Sequence, residues 1–449
     1  MVTRERGWRR PGLELFRMTW PMLFGVASLI SFQLVDSAFI GQLGVDPLAA
    51  LGFTVPVQQL IIGLQVGLGI ATTAIISRVA GAGESGRARQ LGTLVVLTGS
   101  VAMALVCLLL WVFRAPLVIR LGAEASLLPL VSAYWAPWLL SAWLGALLYF
   151  GYSICRAHGN TRLPGLFMVA TSFLNLVLDP LFIFTFGWGM PGAAWATVIS
   201  FGAGILAVYP ALLARDWLKA GWTHVSVREE LRRLLATAAP AALSQVMPPI
   251  SAALATALVA GFGSAAVAAW GLGTRLEFFS IVVVLALTMS LPPMVGRLAG
   301  AGDCDGIRQL VRIATLFLLA WQLGIALLWL GLSGFVPGLL ARDPAVAALV
   351  ADYLTRVPLS YGGLGVCMLM VSVCNALGQP LNALLTSCLR LFACYLPALW
   401  VGSQLAGMTG VFWGALAGNL AAGFMAWRQY QRAFATVAKG SRRGASARA

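Results

Sequence analysis

The chain reads as an all-α membrane protein of 12 transmembrane helices, built as two six-helix bundles related by a pseudo-two-fold axis along the membrane normal. Three observations predict this. Of its 449 residues, 60% are hydrophobic and 10% charged, and mean hydropathy is +0.87, whereas a soluble domain carries about 25% charged residues. A shift of 219 positions lays the chain over itself. Lysine and arginine crowd alternate loops, so one side of the sheet of lipid collects nearly all the positive charge.

In the repeat, Pro21 falls on Pro240, Gly44 on Gly263, Gly52 on Gly271, and Ala80-Gly81-Ala82-Gly83 on Ala299-Gly300-Ala301-Gly302. The register continues through Arg89-Gln90-Leu91 over Arg308-Gln309-Leu310, Tyr134 over Tyr353 and Gly159 over Gly378. It then slips by one residue before Gly192-Ala193-Ala194-Trp195 meets Gly410-Val411-Phe412-Trp413. The chain therefore holds two copies of one unit. A helix needs about 20 mostly apolar residues to cross the hydrocarbon. Such stretches lie at 14–40, 47–74, 91–113, 127–153, 164–186 and 190–213, and again at 236–260, 266–292, 309–333, 346–374, 383–402 and 408–430. An odd number of spans per copy would invert the second copy; six keeps both in one orientation. The expected lobes are 1–213 and 236–449, with a cytoplasmic connector at 214–235 and a basic cytoplasmic tail.

Charge sets the topology. Arg4, Arg6, Arg9, Arg10 and Arg17 precede or open the first span; Arg78, Arg87, Arg89, Arg156 and Arg162 follow the even spans. Arg215, Lys219, Arg228, Arg232 and Arg233 fill the connector, Arg297, Arg308 and Arg312 continue the series, and Arg428, Arg432, Lys439, Arg442, Arg443 and Arg448 close the chain. The opposite side offers Arg114, Arg120, Arg342 and Arg356, so both termini are expected in the cytoplasm. The net charge of +15 is then topology plus attraction to anionic membrane lipid. Nucleic acid is not an expected partner, since the basic residues are dispersed and no basic patch with interleaved aromatics occurs. The Arg-rich stretch Met1–Arg10 leads into a run too long for a signal peptide. None of the seven cysteines forms a CxxC pair, and His158 and His224 both fall in loops. Disulfides, structural zinc and histidine catalysis are not expected.

Few ionisable residues remain inside the spans: Asp36, Asp179, Arg275, Glu277 and Arg390. An acid at the bilayer centre costs about 3 kcal/mol on insertion scales, so it persists where it faces a cavity or a partner. At the repeat offset Asp36 meets Ala255, and Asp179 meets Ala398 or, after the slip, Pro397. Only the first copy carries this pair. Asn175 precedes Asp179 by four, which puts amide and carboxyl on one helix face. Pro180 frees carbonyls one turn back, and Thr197 in the next span can supply a hydroxyl. Asp36, Asn175, Asp179 and Thr197 together can hold a proton or a small hard cation such as Na⁺. Two carboxyls in a poorly hydrated site cannot both stay charged cheaply. The alternative role for these groups is hydrogen bonding between helices alone. Pro21, four turns before Asp36, is a candidate conformational residue: a kink there can respond to the acid further along, or serve as a plain bend shared with Pro240. Tyr149 and Tyr152, three apart in the fourth span, can stack on a cationic compound or pack between helices; Ser172 is a further substrate-binding candidate. Arg275 and Glu277, two apart, point away from one another on a helix: the first can reach the interface and the second can bond a neighbouring helix. Arg390 has no partner legible in the sequence.

The early proline of the first span, the run VDSAFIGQLGVDPLAALGF, the turn VAGAGESGRARQLG and the segment CRAHGNTRLP together resemble the multidrug and toxic compound extrusion (MATE) transporters over nearly the whole chain. The placing of the acids resembles the branch related to the DNA-damage-inducible F protein, whose N-lobe Asp, Asn-xxx-Asp and following Thr fall on Asp36, Asn175, Asp179 and Thr197. Tyr134 matches a polar cavity residue of that branch. The resemblance implies a secondary antiporter of the bacterial inner membrane, working as a monomer without a cofactor. It would export organic cations or amphiphilic toxic compounds in exchange for H⁺ or Na⁺, with Asp36 as the exchange point and as a contact for substrate. The acids that the Na⁺-driven branch places in the seventh and tenth helices are missing, Asp352 near an outer end excepted. A lipid or lipid-linked oligosaccharide flippase is the alternative, and would be expected to line its cavity with several arginines or lysines. An enzyme is not expected, because no cluster of nucleophile, base or metal ligands lies near either interface.

Overall fold

A computed structural model describes residues 9–122, 125–221 and 226–446. Arg4, Arg6, His224 and Arg448, which entered the charge and histidine arguments, lie outside the described residues. Among those described there are helices and turns and no strand. The helices of the first copy are α1 (Arg9–Gly41), α2 (Val45–Gly81), α3 (Ser85–Val112), the short α4 (Arg114–Arg120), α5 (Leu128–Ala157), α6 (Arg162–Pro180) and α7 (Gly189–Ala214). Those of the second are α8 (Val227–Ala260), α9 (Ser264–Ser280), α10 (Val282–Gly300), α11 (Cys304–Leu332), the short α12 (Val336–Leu340), α13 (Pro344–Arg356), α14 (Tyr361–Ala376), α15 (Pro380–Cys388) and α16 (Leu396–Ser446).

Eleven runs among the described residues are long and apolar enough to cross a membrane. The last, Pro380–Lys439, spans 60 residues, about three times what one crossing needs. It is broken inside α16, where Ala406 (φ −146°, ψ 27°) and Gly407 (φ 57°, ψ −136°) leave the helix. The left-handed φ explains the glycine at 407, and the break restores the twelfth span.

Several ends differ from expectation. α8 begins at Val227, nine residues before the apolar run, because Glu230 is buried and gathers Arg87 and Arg233, the latter at 3.0 Å. Charged residues that read as loop thus form an anchored first turn. The eighth span is α9 and α10 joined through Ile281, with Ile281 N–H bonded to the Glu277 carbonyl at 3.0 Å, and it runs on to Gly300. The tenth is split by a 3₁₀ turn, Val357–Ser360, carrying Pro358. In the first copy Leu139 stands at the corresponding position and α5 is unbroken.

The chain divides into two compact units, one of Arg17–Ala242 and one of the stretch up to Phe16 with Leu243 onward. In the first, α5 is central, packing on α2, α3 and α7. In the second, α14 holds the same place, packing on α10, α11 and α16. Each core is aromatic. In the first, Trp135 is fully buried and its Nε1–H donates to Thr54 Oγ1 at 3.0 Å, as a buried indole requires. In the second, Trp270 and Phe412 stack at 6.4 Å with Tyr353 edge-on to both. Trp135→Phe leaves the Thr54 hydroxyl short of a donor, and should lower stability by about 1 kcal/mol with function retained, read as a fall in the thermal midpoint of the purified protein.

The outer faces are apolar too. On α3, Leu97, Val101, Leu105, Leu108 and Val112 form an exposed stripe, while Leu91, Leu94, Met103 and Cys107 face inward. A stripe of this kind would be an aggregation patch in water; in hydrocarbon it carries no penalty. α6 goes further: Leu166, Phe173 and Val177 point out, and Thr171, Ser172, Asn175 and Asp179 point in. Its polar face is the buried one, and that inversion builds the site.

Candidate functional site

Asp179 and Asn175 are both buried, at 0% and 1% exposure. The Asn175 amide lies between Asp179 and Thr197 of α7. With its nitrogen toward the carboxylate it donates to Asp179 Oδ2 at 2.7 Å and Oδ1 at 3.3 Å, and its oxygen accepts from the Thr197 hydroxyl and backbone N–H, both at 3.1 Å. Turned over, the amide nitrogen donates to Thr197 Oγ1 at 3.1 Å, and that hydroxyl donates to the Ala193 carbonyl at 3.1 Å. The second orientation sets amide oxygen against carboxyl oxygen, which is favourable only when Asp179 carries a proton to donate. That second orientation also sets the amide nitrogen against the Thr197 backbone N–H, donor against donor, so the first orientation is the one that satisfies the group.

Past Pro180 the helix widens into a π-helical turn, Leu181–Thr185, with Phe186 N–H bonded to the Leu181 carbonyl at 2.9 Å. Such turns recur at functional sites. Asp36 approaches from α1 closely enough that its charge and that of Asp179 act on one another, and both act on the Tyr134 hydroxyl. Its Oδ1 is buried with no hydrogen-bond partner among the described residues. Pro21 packs on α6, where Gly165 allows the approach: a Cβ at 165 would stand 2.4 Å from the Pro21 carbonyl oxygen.

Five of the expected residues are thus brought together: Asp36, Asn175, Asp179, Thr197 and Tyr134. The others stand apart. Ser172 is buried two turns below Asp179, its hydroxyl without a partner among the described residues. Tyr149 lies about 22 Å along α5 from Tyr134, at 1.5 Å per residue. Its ring covers Gly69 of α2, where a Cβ would meet Cε1 at 2.2 Å, and Arg156 sits 5.1 Å over its face. Tyr152 is buried beside Thr171. Both tyrosines are engaged in helix packing here.

The second unit holds a polar cluster that periodicity does not reveal. Tyr353 Oη donates to Glu277 Oε2 at 3.2 Å. Glu277 also feels the charge of Arg390 and acts on Tyr361 and Tyr395. Arg390, on the π-helical turn Leu389–Tyr395, so acquires a counter-charge 113 positions away in the sequence. The one available clue was that Tyr353 overlies Tyr134. At the same offset Glu277 overlies Gln58, so the copies carry their acids at different places.

Duplicated apolar bundles that each enclose buried ionisable groups are the build of many membrane transport proteins. The MatE family pattern matches residues 21–181 and 240–401, once in each copy. The FAD transporter of Shewanella oneidensis is 32% identical over 94% of this chain and 94% of its own. The multidrug export protein MepA of Staphylococcus aureus is 26% identical over 90% and 89%. In structure the chain is similar to the Vibrio cholerae MATE transporter VcmN in its bent form, with TM-score 0.94 and 54% identity over 96% of this chain and 98% of that one. The chain belongs to the MatE family.

Proposed function

We propose that the protein is a secondary antiporter of the bacterial inner membrane that exports organic cations or amphiphilic toxic compounds in exchange for H⁺, with Asp36 and Asp179 as its coupling carboxyls. The observation that supports this most is the pairing of Asp179, held by the Asn175 amide, with a second carboxyl, Asp36, whose Oδ1 is buried with no hydrogen-bond partner among the described residues. Facing outward, the pair takes up a proton, and the loss of negative charge releases the bound cation. Facing inward, the proton leaves, and the restored charge recruits the next substrate. One elementary charge crossing about 100 mV supplies about 2.3 kcal/mol.

Proton is favoured over Na⁺ on chemistry. A hard cation needs a shell of oxygens, yet in the charged state one face of Asp179 is occupied by an N–H donor. Transport of a fluorescent organic cation by proteoliposomes should follow an imposed pH gradient and be absent under a sodium gradient alone. Sodium-driven transport at fixed pH overturns the proton assignment.

Export of an anionic flavin dinucleotide is a second reading, suggested by the name of the Shewanella relative. Arg390, whose Nε is buried without a hydrogen-bond partner among the described residues, would be the group to hold its pyrophosphate. FAD offered in the same vesicles separates the two: FAD efflux lost in Arg390→Gln, with no movement of cations, would establish the second.

A further inference from the structure

One cavity lies away from all these groups. It is a groove of about 920 Å³ between α11, α14 and α16, wholly within the second unit. Arg308 and Arg312 of α11 and Lys439 of α16 line one end of it. Apart from Thr315, Tyr430 and Gln431 the remainder is apolar, with Leu316, Leu319, Leu420 and Phe424 as exposed walls. From Arg308 to Leu319 the groove extends about 16 Å at 1.5 Å per residue, about half of a hydrocarbon core of about 30 Å, which is one leaflet.

We propose that this groove is a binding site for an anionic phospholipid, its phosphate held by Arg308, Arg312 and Lys439 and one acyl chain laid against the leucines and Phe424. Charge selects this occupant. No carboxylate lines the groove, so it repels the organic cations assigned to the Asp36 site, and three cations at a single end suit a headgroup with a chain beneath it. Arg308 is placed for it: its guanidinium lies 5.4 Å over the Phe434 ring and only loosely engages Asp305, at 3.8 Å with both side chains largely exposed. Lys439 is exposed on the last turns of α16, whose sequence continues basic with Arg442 and Arg443. The site does not depend on the coupling mechanism above.

The test uses the full-length protein, delipidated in detergent and titrated with phosphatidylglycerol or phosphatidylcholine, with bound lipid counted by native mass spectrometry. Phosphatidylglycerol should be retained at least tenfold better than phosphatidylcholine. The triple variant R308Q/R312Q/K439Q should reduce that preference to less than twofold, whereas Arg432→Gln, exposed on α16 outside the groove, should keep it. Leu316→Trp, which fills the groove from an exposed wall while leaving all three cations, should lose the bound lipid, and soluble glycerol 3-phosphate should not compete. Equal retention of the two lipids, an unchanged preference in the triple variant, or displacement of lipid by an organic cation would each overturn the proposal.

Discussion

Asp36→Asn is expected to abolish proton-driven export, by tenfold or more, while the protein inserts and folds as before. The substitution keeps the shape of the side chain and removes its ability to alternate between charged and neutral. In the proposed cycle that alternation links substrate release to proton uptake, so a permanently neutral group at 36 leaves nothing for the gradient to act on. Folding should survive because Asp36 Oδ1 makes no hydrogen bond among the described residues. Asp179→Asn should be less uniform, since Asn175 can still bond an amide there. Efflux from proteoliposomes under a pH gradient, beside a thermal melt of each variant, separates the cases. Wild-type efflux by Asp36→Asn would remove the carboxylate mechanism.

The second large effect is expected at a residue with no chemistry. Gly165→Leu places a branched side chain where even a Cβ would stand 2.4 Å from the Pro21 carbonyl oxygen and 2.9 Å from its Cβ. Backbone cannot yield as a flexible side chain does, so α1 and α6 must separate. Overpacking of this kind costs about 1–3 kcal/mol, and here it also moves Asp36 relative to Asp179. A lower unfolding temperature together with lost transport is expected. Gly202→Leu on α7, where a Cβ meets nothing within 4 Å, should leave both unchanged. If Gly165→Leu behaves like Gly202→Leu, the contact at Pro21 has no part in holding the site.

Much of this was legible in the sequence because a bilayer leaves few options: an apolar run of about 20 residues must be a helix, and a duplicated run repeats it. Asn175 and Asp179 are four apart on one such helix, so their shared face followed from spacing alone, and Thr197 from the following span. Pairings between distant spans were not legible, because periodicity records which face a residue occupies and not which helix it meets. Glu277 with Tyr353, and Arg390 nearby, are of that kind. Tyr149 shows the same limit from the other side: spacing left stacking on a compound and helix packing both open, and the structure places Gly69 under the ring. The early start of α8 was hidden because Glu229, Glu230, Arg232 and Arg233 read as loop, until Arg87 of another helix supplied the counter-charge.

The amide at position 175 has a thermodynamic corollary. Because it donates to the Asp179 carboxylate, it offsets part of the cost of charge in the dry interior and draws the two ends of the exchange step together in energy. A carrier with such an even landscape has no built-in direction. The gradients on either side of the membrane decide which way it runs, and a steep enough inward-directed excess of substrate would drive protons the other way.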